Sequence, residues 1–214
     1  MRADSQFSLP DGSPADSTSH HSGGEQLRLR FFESGDTEQV IQLIDSVYRE
    51  YGDRVCLENA DRDLLEIDRV YSRAGGSFVV LANEQELVGC HAVLPLSNPP
   101  TLCTFRRLYL HSSRRGHGWG RILMQWAIDW AGAAGLEQVE FWSDTRFTRA
   151  HAFFQTIGFR RQEAVRQMDD GWARYQEYLF RGEIRSLCAA ADRGAAAVAP
   201  APNRQGSRSE SGWV

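Results

Sequence analysis

Residues 102–130, LCTFRRLYLHSSRRGHGWGRILMQWAIDW, join three kinds of sequence end to end. From Leu102 to Leu110 apolar and β-forming residues dominate, which suits a buried strand. Gly116, Gly118 and Gly120 follow at alternate positions, with Arg114 and Arg115 before them and Arg121 after. Trp119, Ile122, Leu123, Trp126, Ala127 and Trp130 then recur at the three- and four-residue spacing of a helix lying on a sheet.

A strand that feeds a glycine-rich turn into a helix N-terminus is an anion site for a physical reason. The first helical N–H groups lack intrahelical acceptors, and the helix dipole places partial positive charge there. Glycines remove the Cβ atoms that would hold a phosphate away, and they allow the positive φ angles that turn successive amides inward. Flanking arginines add charge-assisted bonds. The turn is therefore expected to bind a phosphate or pyrophosphate; a tightly packed β–α junction is the plainer alternative.

A P-loop needs Lys followed by Ser or Thr, and this chain contains no Lys. A dinucleotide fingerprint needs a Gly three residues after the second one, where Leu123 stands instead. The spacing Arg115-x-x-Gly118-x-Gly120 resembles the pyrophosphate signature of the GCN5-related N-acetyltransferase (GNAT) family. FRRLYL resembles the strand before that signature, and RILMQWAIDWA the helix after it. A second block, Ala150-x-x-Phe153-Phe154-x-x-x-Gly158-Phe159, also resembles the family, so the likeness covers roughly residues 27–182.

The chain has 214 residues, 42% of them apolar, enough for one sizeable core. A net charge of −4 gives no nucleic-acid footprint. All 24 basic residues are Arg, which excludes Schiff-base chemistry or self-acetylation on a Lys side chain. Cys56, Cys90, Cys103 and Cys188 are scattered without a CxxC pair, so neither a metal site nor a disulfide framework is expected. There is no apolar leader and no apolar run of about 18 residues, so no membrane partner and a cytoplasmic location are expected.

Residues 1–25 have almost no apolar content and residues 185–214 are built from Ala, Gly, Pro, Ser and Arg; both read as disordered tails, the second with a little helix near Leu187–Ala191. Between them, residues 26–184 form the expected domain. Leu27–Phe32 alternates as a strand, and Asp36 with Gln39 forms a capping box for a helix with Val40, Ile44, Val47, Tyr48 and Tyr51 inward. A second helix is expected over Asp61–Arg73, then a hairpin of Ser77–Ala82 and Glu86–Leu94. After the glycine turn come a strand at Gln138–Trp142, a helix at Thr148–Ile157, and strands near Glu163–Met168 and Arg174–Phe180. This order implies an α/β fold: a single mixed, mostly antiparallel sheet of about seven strands with helices on both faces, as in acyl-CoA N-acyltransferases.

The resemblance implies acetyl-CoA as co-substrate, lying between the two central strands. Backbone groups of Leu108, Tyr109 and Leu110 would bond the pantetheine arm, amides of Arg115, Gly116, His117, Gly118, Trp119, Gly120 and Arg121 the pyrophosphate, and Phe154 would lie beside it. The acceptor would be a small-molecule amine or a peptide N-terminus that attacks the thioester directly, aided by a general base and acid. Relatives often pair as homodimers, and the resemblance extends that expectation here. Three positions depart from the pattern: Thr104 replaces a Glu base, Phe154 a Tyr acid, and Phe147 an Asn. His151, Asp144 and His91 are the substitute catalytic candidates; a buried or capping role is the alternative for each. Glu50, Asp53 and Glu58 could attract a cationic amine, or simply face water. A non-catalytic acyl-CoA-binding module of the same fold remains the second reading, and a nucleotide-binding turn the third.

Overall fold

Two central strands that begin together and then part company give this molecule its site. The computed structural model describes residues 20–22, 25–170 and 172–196. Its strands are β1 (His20–Ser22), β2 (Glu25–Phe31), β3 (Ser77–Ala82), β4 (Leu87–Pro95), β5 (Leu102–Leu110), β6 (Gln138–Asp144), β7 (Arg160–Asp169) and β8 (Arg174–Glu183). Its helices are α1 (Thr37–Arg49), α2 (Trp119–Ala133), α3 (Thr148–Ile157) and α4 (Ile184–Ala196). The sheet order is β1-β2-β3-β4-β5-β6-β8-β7, antiparallel throughout except for the parallel pair β5 and β6.

Strands β2 to β8 form the expected seven-stranded mixed sheet. The short β1 and the start of β2 at Glu25 fall inside the expected N-terminal tail, because His20–Ser22 pairs back on Glu25–Leu27. Helix α4 likewise carries regular structure past residue 185, seating Ile184 and Leu187 in the core. The other residues of both expected tails lie outside those described.

Two apolar cores lie on opposite faces of the sheet. On one face α1 and the segment after it press Ile44, Leu64, Tyr71, Phe78, Val80 and Cys90 together. On the other α2, α3 and α4 cover β5, β6 and β8, around Met124, Ile128, Phe141, Phe154, Phe159 and Phe180. Helix α2 fully buries Trp119, Leu123, Met124, Ala127, Ile128 and Ala131, while Trp126 and Trp130 flank the core. The expected face is thus rotated toward smaller residues, which let α2 sit close to the sheet and to α4. The four cysteines are free thiols, and burial pushes Cys90 and Cys103 up to about 12, as core residues rather than nucleophiles.

Two local expectations fail for stated reasons. Asp36 makes no cap bond to α1; its carboxylate accepts from the Arg30 guanidinium at 2.7 and 2.8 Å and from the Glu33 amide at 2.8 Å. A bidentate pair with a guanidinium outcompetes a single bond to a helix amide. Gln39 instead accepts from the Leu87 amide at 3.1 Å and ties α1 to the β3–β4 hairpin. The expected Asp61–Arg73 helix is a 3-10 turn at Arg62–Glu66 and a π turn at Asp68–Ser72. Asp61 and Asp63 both reach one guanidinium, that of Arg107, and residues two apart do not share a face of a regular α-helix.

Candidate active site

Strands β5 and β6 pair only from Leu102↔Gln138 to Thr104↔Glu140, and no β5–β6 register continues past that point. Beyond it β5 carries a bulge. Cys90 faces Tyr109 and Ala92 faces Arg106, so Arg107 and Leu108 both stand opposite His91. Arg107 takes φ 56°, a strained value for a side-chain-bearing residue. A cleft of about 460 Å³ fills the splay, with Thr104 to Tyr109 on one side and Phe141 to Asp144 on the other. Strand edges facing such a gap can pair with the amides of an extended ligand.

At the end of β5 a short 3-10 turn, Ser112–Arg114, leads into the glycines. Gly116 and Gly118 take φ 80° and 86°, the left-handed region that glycine enters freely. The Gly118 carbonyl accepts from Arg121 and Ile122 at 2.9 and 3.2 Å, so α2 starts there and the preceding amides lie ahead of its first bonds. Gly120 is more telling. It is helical, and a Cβ there would meet only the Phe153 ring tip, 3.9 Å away. Packing does not call for glycine at that position, and the space beside it is open. The turn therefore fits a pyrophosphate.

The other expected cofactor residues divide. Leu108 and Phe154 line the cleft. The Tyr109 hydroxyl turns to Tyr48, 3.0 Å away, leaving only its backbone for a ligand. Trp119 is buried beneath the turn, and the Arg121 side chain is exposed. His117 Nδ1 lies 2.8 Å from the Arg115 carbonyl. The Arg115 guanidinium bonds the Leu110 carbonyl at 3.0 Å and both Glu50 oxygens at 2.5 and 2.7 Å, so its charge braces the turn against the end of α1.

The proton-transfer candidates are each held by the protein. His91 is 1% exposed, with Nδ1 at 3.1 Å from the Arg106 carbonyl and Nε2 without a partner among the described residues. Burial drives it down to about 4, so it is neutral near physiological pH. Asp144 lines the cleft but accepts from the Arg146 backbone amide and guanidinium at 2.6 to 3.1 Å. Arg146 also bonds Asp53 at 2.7 Å. His151 does not itself line the cleft; its Nε2 lies 3.1 Å from the hydroxyl of Ser143, which does, and its ring packs against Tyr178 and Phe180. Burial lowers its pKa as well. Thr104 and Phe154 sit in the cleft wall. Of the three acids expected at the acceptor side, Asp53 lines the cleft, Glu50 pairs with Arg115, and Glu58 is exposed.

Two clusters lie beyond what the sequence reading named. Arg107 bonds Asp61 at 2.6 Å and grips Asp63 through two nitrogens. The hydroxyls of Tyr48 and Tyr71 complete that buried group on Asp61 and Asp63. Opposite it, the register pairs Asp144 with Glu177, Glu177 with Arg166 and Tyr175 with Met168, so one face of β6, β8 and β7 looks into the cleft. Asp170 and Tyr175 belong to that wall. The only sequence signal for it is the period-two alternation of Tyr175 and Glu177.

A sheet splayed at a parallel central pair, with a phosphate-fitting turn at the end of the first strand, defines an acyltransferase-type fold and site. The chain belongs to the GNAT family: the family model described as Acetyltransferase (GNAT) family matches residues 38–159. It is 27% identical over 128 residues to the Escherichia coli uncharacterized N-acetyltransferase YjgM, covering 58% of this chain and 76% of that protein. It is 31% identical to N-acetyltransferase family 8 member 2 of Rattus norvegicus, over 46% of this chain and 45% of that one. A GNAT-family acetyltransferase of Staphylococcus aureus superposes with a TM-score of 0.65 at 17% identity, covering 74% of this chain and 99% of that one. yncA of Salmonella typhimurium, solved with its cofactor acetyl-CoA, superposes at 0.59 with 13% identity, over 74% and 94% of the two chains. No described helix is long and apolar enough to cross a membrane.

Proposed function

We propose that the protein transfers the acetyl group of acetyl-CoA to a primary amine by direct attack in a ternary complex. The observation that carries this reading is the void at Gly120, at the mouth of a splayed β5–β6 pair. The amides of Arg115 to Arg121 would hold the pyrophosphate. The backbone of Leu108, Tyr109 and Leu110 would pair with the pantetheine arm, with Phe154 packed beside it. When bound, acetyl-CoA supplies the thioester that the amine attacks.

The residues of the site bind and orient more than they exchange protons. His91 is a weak base, Asp144 is engaged by Arg146, and His151 does not line the cleft and is bonded to the Ser143 hydroxyl. The amine proton therefore leaves to water in the cleft, and the acceptor's own ionisation governs the rate. The expected pH profile of kcat/KM rises tenfold per pH unit up to the acceptor's pKa. With two amines of different pKa, the rising limb should move with the amine. A limb fixed below about pH 6.5 for both would instead assign a histidine base, since burial lowers both candidates.

The same lack of a free base favours the second reading, a non-catalytic acyl-CoA-binding module. Calorimetric titration with acetyl-CoA, CoA and ATP, followed by thiol release against an amine panel, separates the two. Acceptor-dependent thiol release supports the transferase, and CoA-type binding without release over the panel supports the module. Absence of binding to acetyl-CoA and CoA removes both.

A further inference from the structure

The two walls of the acceptor end differ in charge. On the α1 side the lining charges are those of Arg106, Arg107, Asp53 and Asp61, and they balance. On the opposite wall Asp144, Asp170 and Glu177 meet only Arg146 and Arg166 as lining cations. Arg146 is shared between Asp53 and Asp144, and Arg166 is taken by Glu177. Asp170 is 6% exposed, and no cation pairs with it among the described residues. Its Oδ1 accepts from the Trp172 and Ala173 amides, both at 2.8 Å, which fixes the carboxylate at the neck of the β7–β8 hairpin. A further cation, Arg54, stacks 3.7 Å over the Trp172 ring and does not line the cleft.

Tyr175 stands in the same wall, and burial together with Glu177, Asp170 and Asp144 raises its pKa well above the ordinary phenol range. Tyr175 thus shares this wall with the three carboxylates. The remaining lining there is mostly aromatic, with Met168 beside it: Tyr51 and Phe147 meet edge to face at 4.7 Å, and Trp142 lies under Arg166.

Excess negative charge at this place is unsuited to the reacting amine. A nearby carboxylate stabilises an ammonium and raises its pKa, whereas attack on a thioester needs the neutral amine. The charge suits a second cation that stays protonated. Resting on the transferase reading above, we infer that the acceptor is a slender aliphatic dication. Its primary amine reaches the β5–β6 splay while its distal cation rests against Asp170 beside Tyr175, with the aromatic walls around the methylene chain. The ion pair of Arg146 with Asp53 joins the α1 side of the cleft to the β6 side, which favours a narrow chain over a bulky partner.

Three acceptors of equal chain length test this: diaminopentane, n-pentylamine and aminopentanoate, which differ only in the distal group. The expected order of kcat/KM is cation over neutral over anion, with about tenfold at each step, falling with added salt. Asp170→Asn keeps an oxygen for both backbone amides, so the hairpin is retained. It should reduce the diamine about tenfold and n-pentylamine by less than about twofold. Calorimetric binding of the same compounds to the CoA complex reads the preference even where no thiol is released. Equal binding of diamine and monoamine, or a loss in Asp170→Asn that is the same for both, overturns the inference. Failure of acetyl-CoA itself to bind strikes the underlying reading instead.

Discussion

Gly120→Ala is expected to move stability and cofactor affinity in opposite directions. Gly120 lies in the first turn of α2, and the nearest atom to an added Cβ is 3.9 Å away. Alanine is favoured over glycine in a helix by about 1 kcal/mol, so the free protein should melt about 2–4 °C higher. The same methyl group would stand where a pyrophosphate must approach the α2 amides. Acetyl-CoA affinity should fall roughly 10- to 100-fold, a loss of about 1.4–2.7 kcal/mol. Thermal melting without ligand and calorimetry with acetyl-CoA measure the two effects separately. A variant that is more stable and binds acetyl-CoA as tightly as before would show that the glycine serves some other purpose. Gly118→Ala makes the contrast: at φ 86° the methyl group strains the backbone by about 1–2 kcal/mol, so stability and affinity should fall together.

The β5–turn–α2 unit was legible because its requirements are local. Positive φ at Gly116 and Gly118, and the bare position at Gly120, are each written in one residue. The apolar periods of β3, β4, α1 and α3 were legible for the same reason. Asp36 was misread because its partner Arg30 lies upstream and carries charge, which a capping pattern does not weigh. The wall holding Asp170, Tyr175 and Glu177 was not legible. β8 inserts between β6 and β7, so residues far apart in the chain share one face only after the strands are placed out of sequence order. The Arg107 cluster was hidden more deeply, because its arginine sits at a bulge and its carboxylates come from a segment that looks helical. In both cases chemistry follows from strand order and irregular backbone, which hydrophobic periodicity does not encode.

Arg107→Leu is expected to be the most damaging single change in the chain. The Arg107 side chain is 6% exposed, and those of Asp61 and Asp63 are 3% and 11% exposed. Removing the guanidinium leaves two buried carboxylates without their cation, which costs about 3–5 kcal/mol. The pH dependence should invert as well. Burial alone would raise the Asp63 pKa, but the charge and hydrogen bonds of Arg107 outweigh it and hold the carboxyl below its ordinary value. In the native protein Asp63 therefore contributes stability that is present above about pH 4 and is lost as pH falls through its depressed folded value. In Arg107→Leu the burial is opposed only by the Tyr71 hydroxyl and the lesser pull of Arg106. The folded value then rises above the unfolded one, so the penalty is full at neutral pH and fades as acid protonates the group. Urea midpoints from pH 7 down to pH 4 should converge for the two proteins; parallel curves would mean that the buried charges are not what Arg107 serves. Arg107→Gly should lose about 1 kcal/mol less than Arg107→Leu, because glycine relieves the φ of 56° while leaving the same carboxylates unpaired. Adding Asp61→Asn and Asp63→Asn to Arg107→Leu should recover part of the loss, since a buried group without net charge needs no counter-ion.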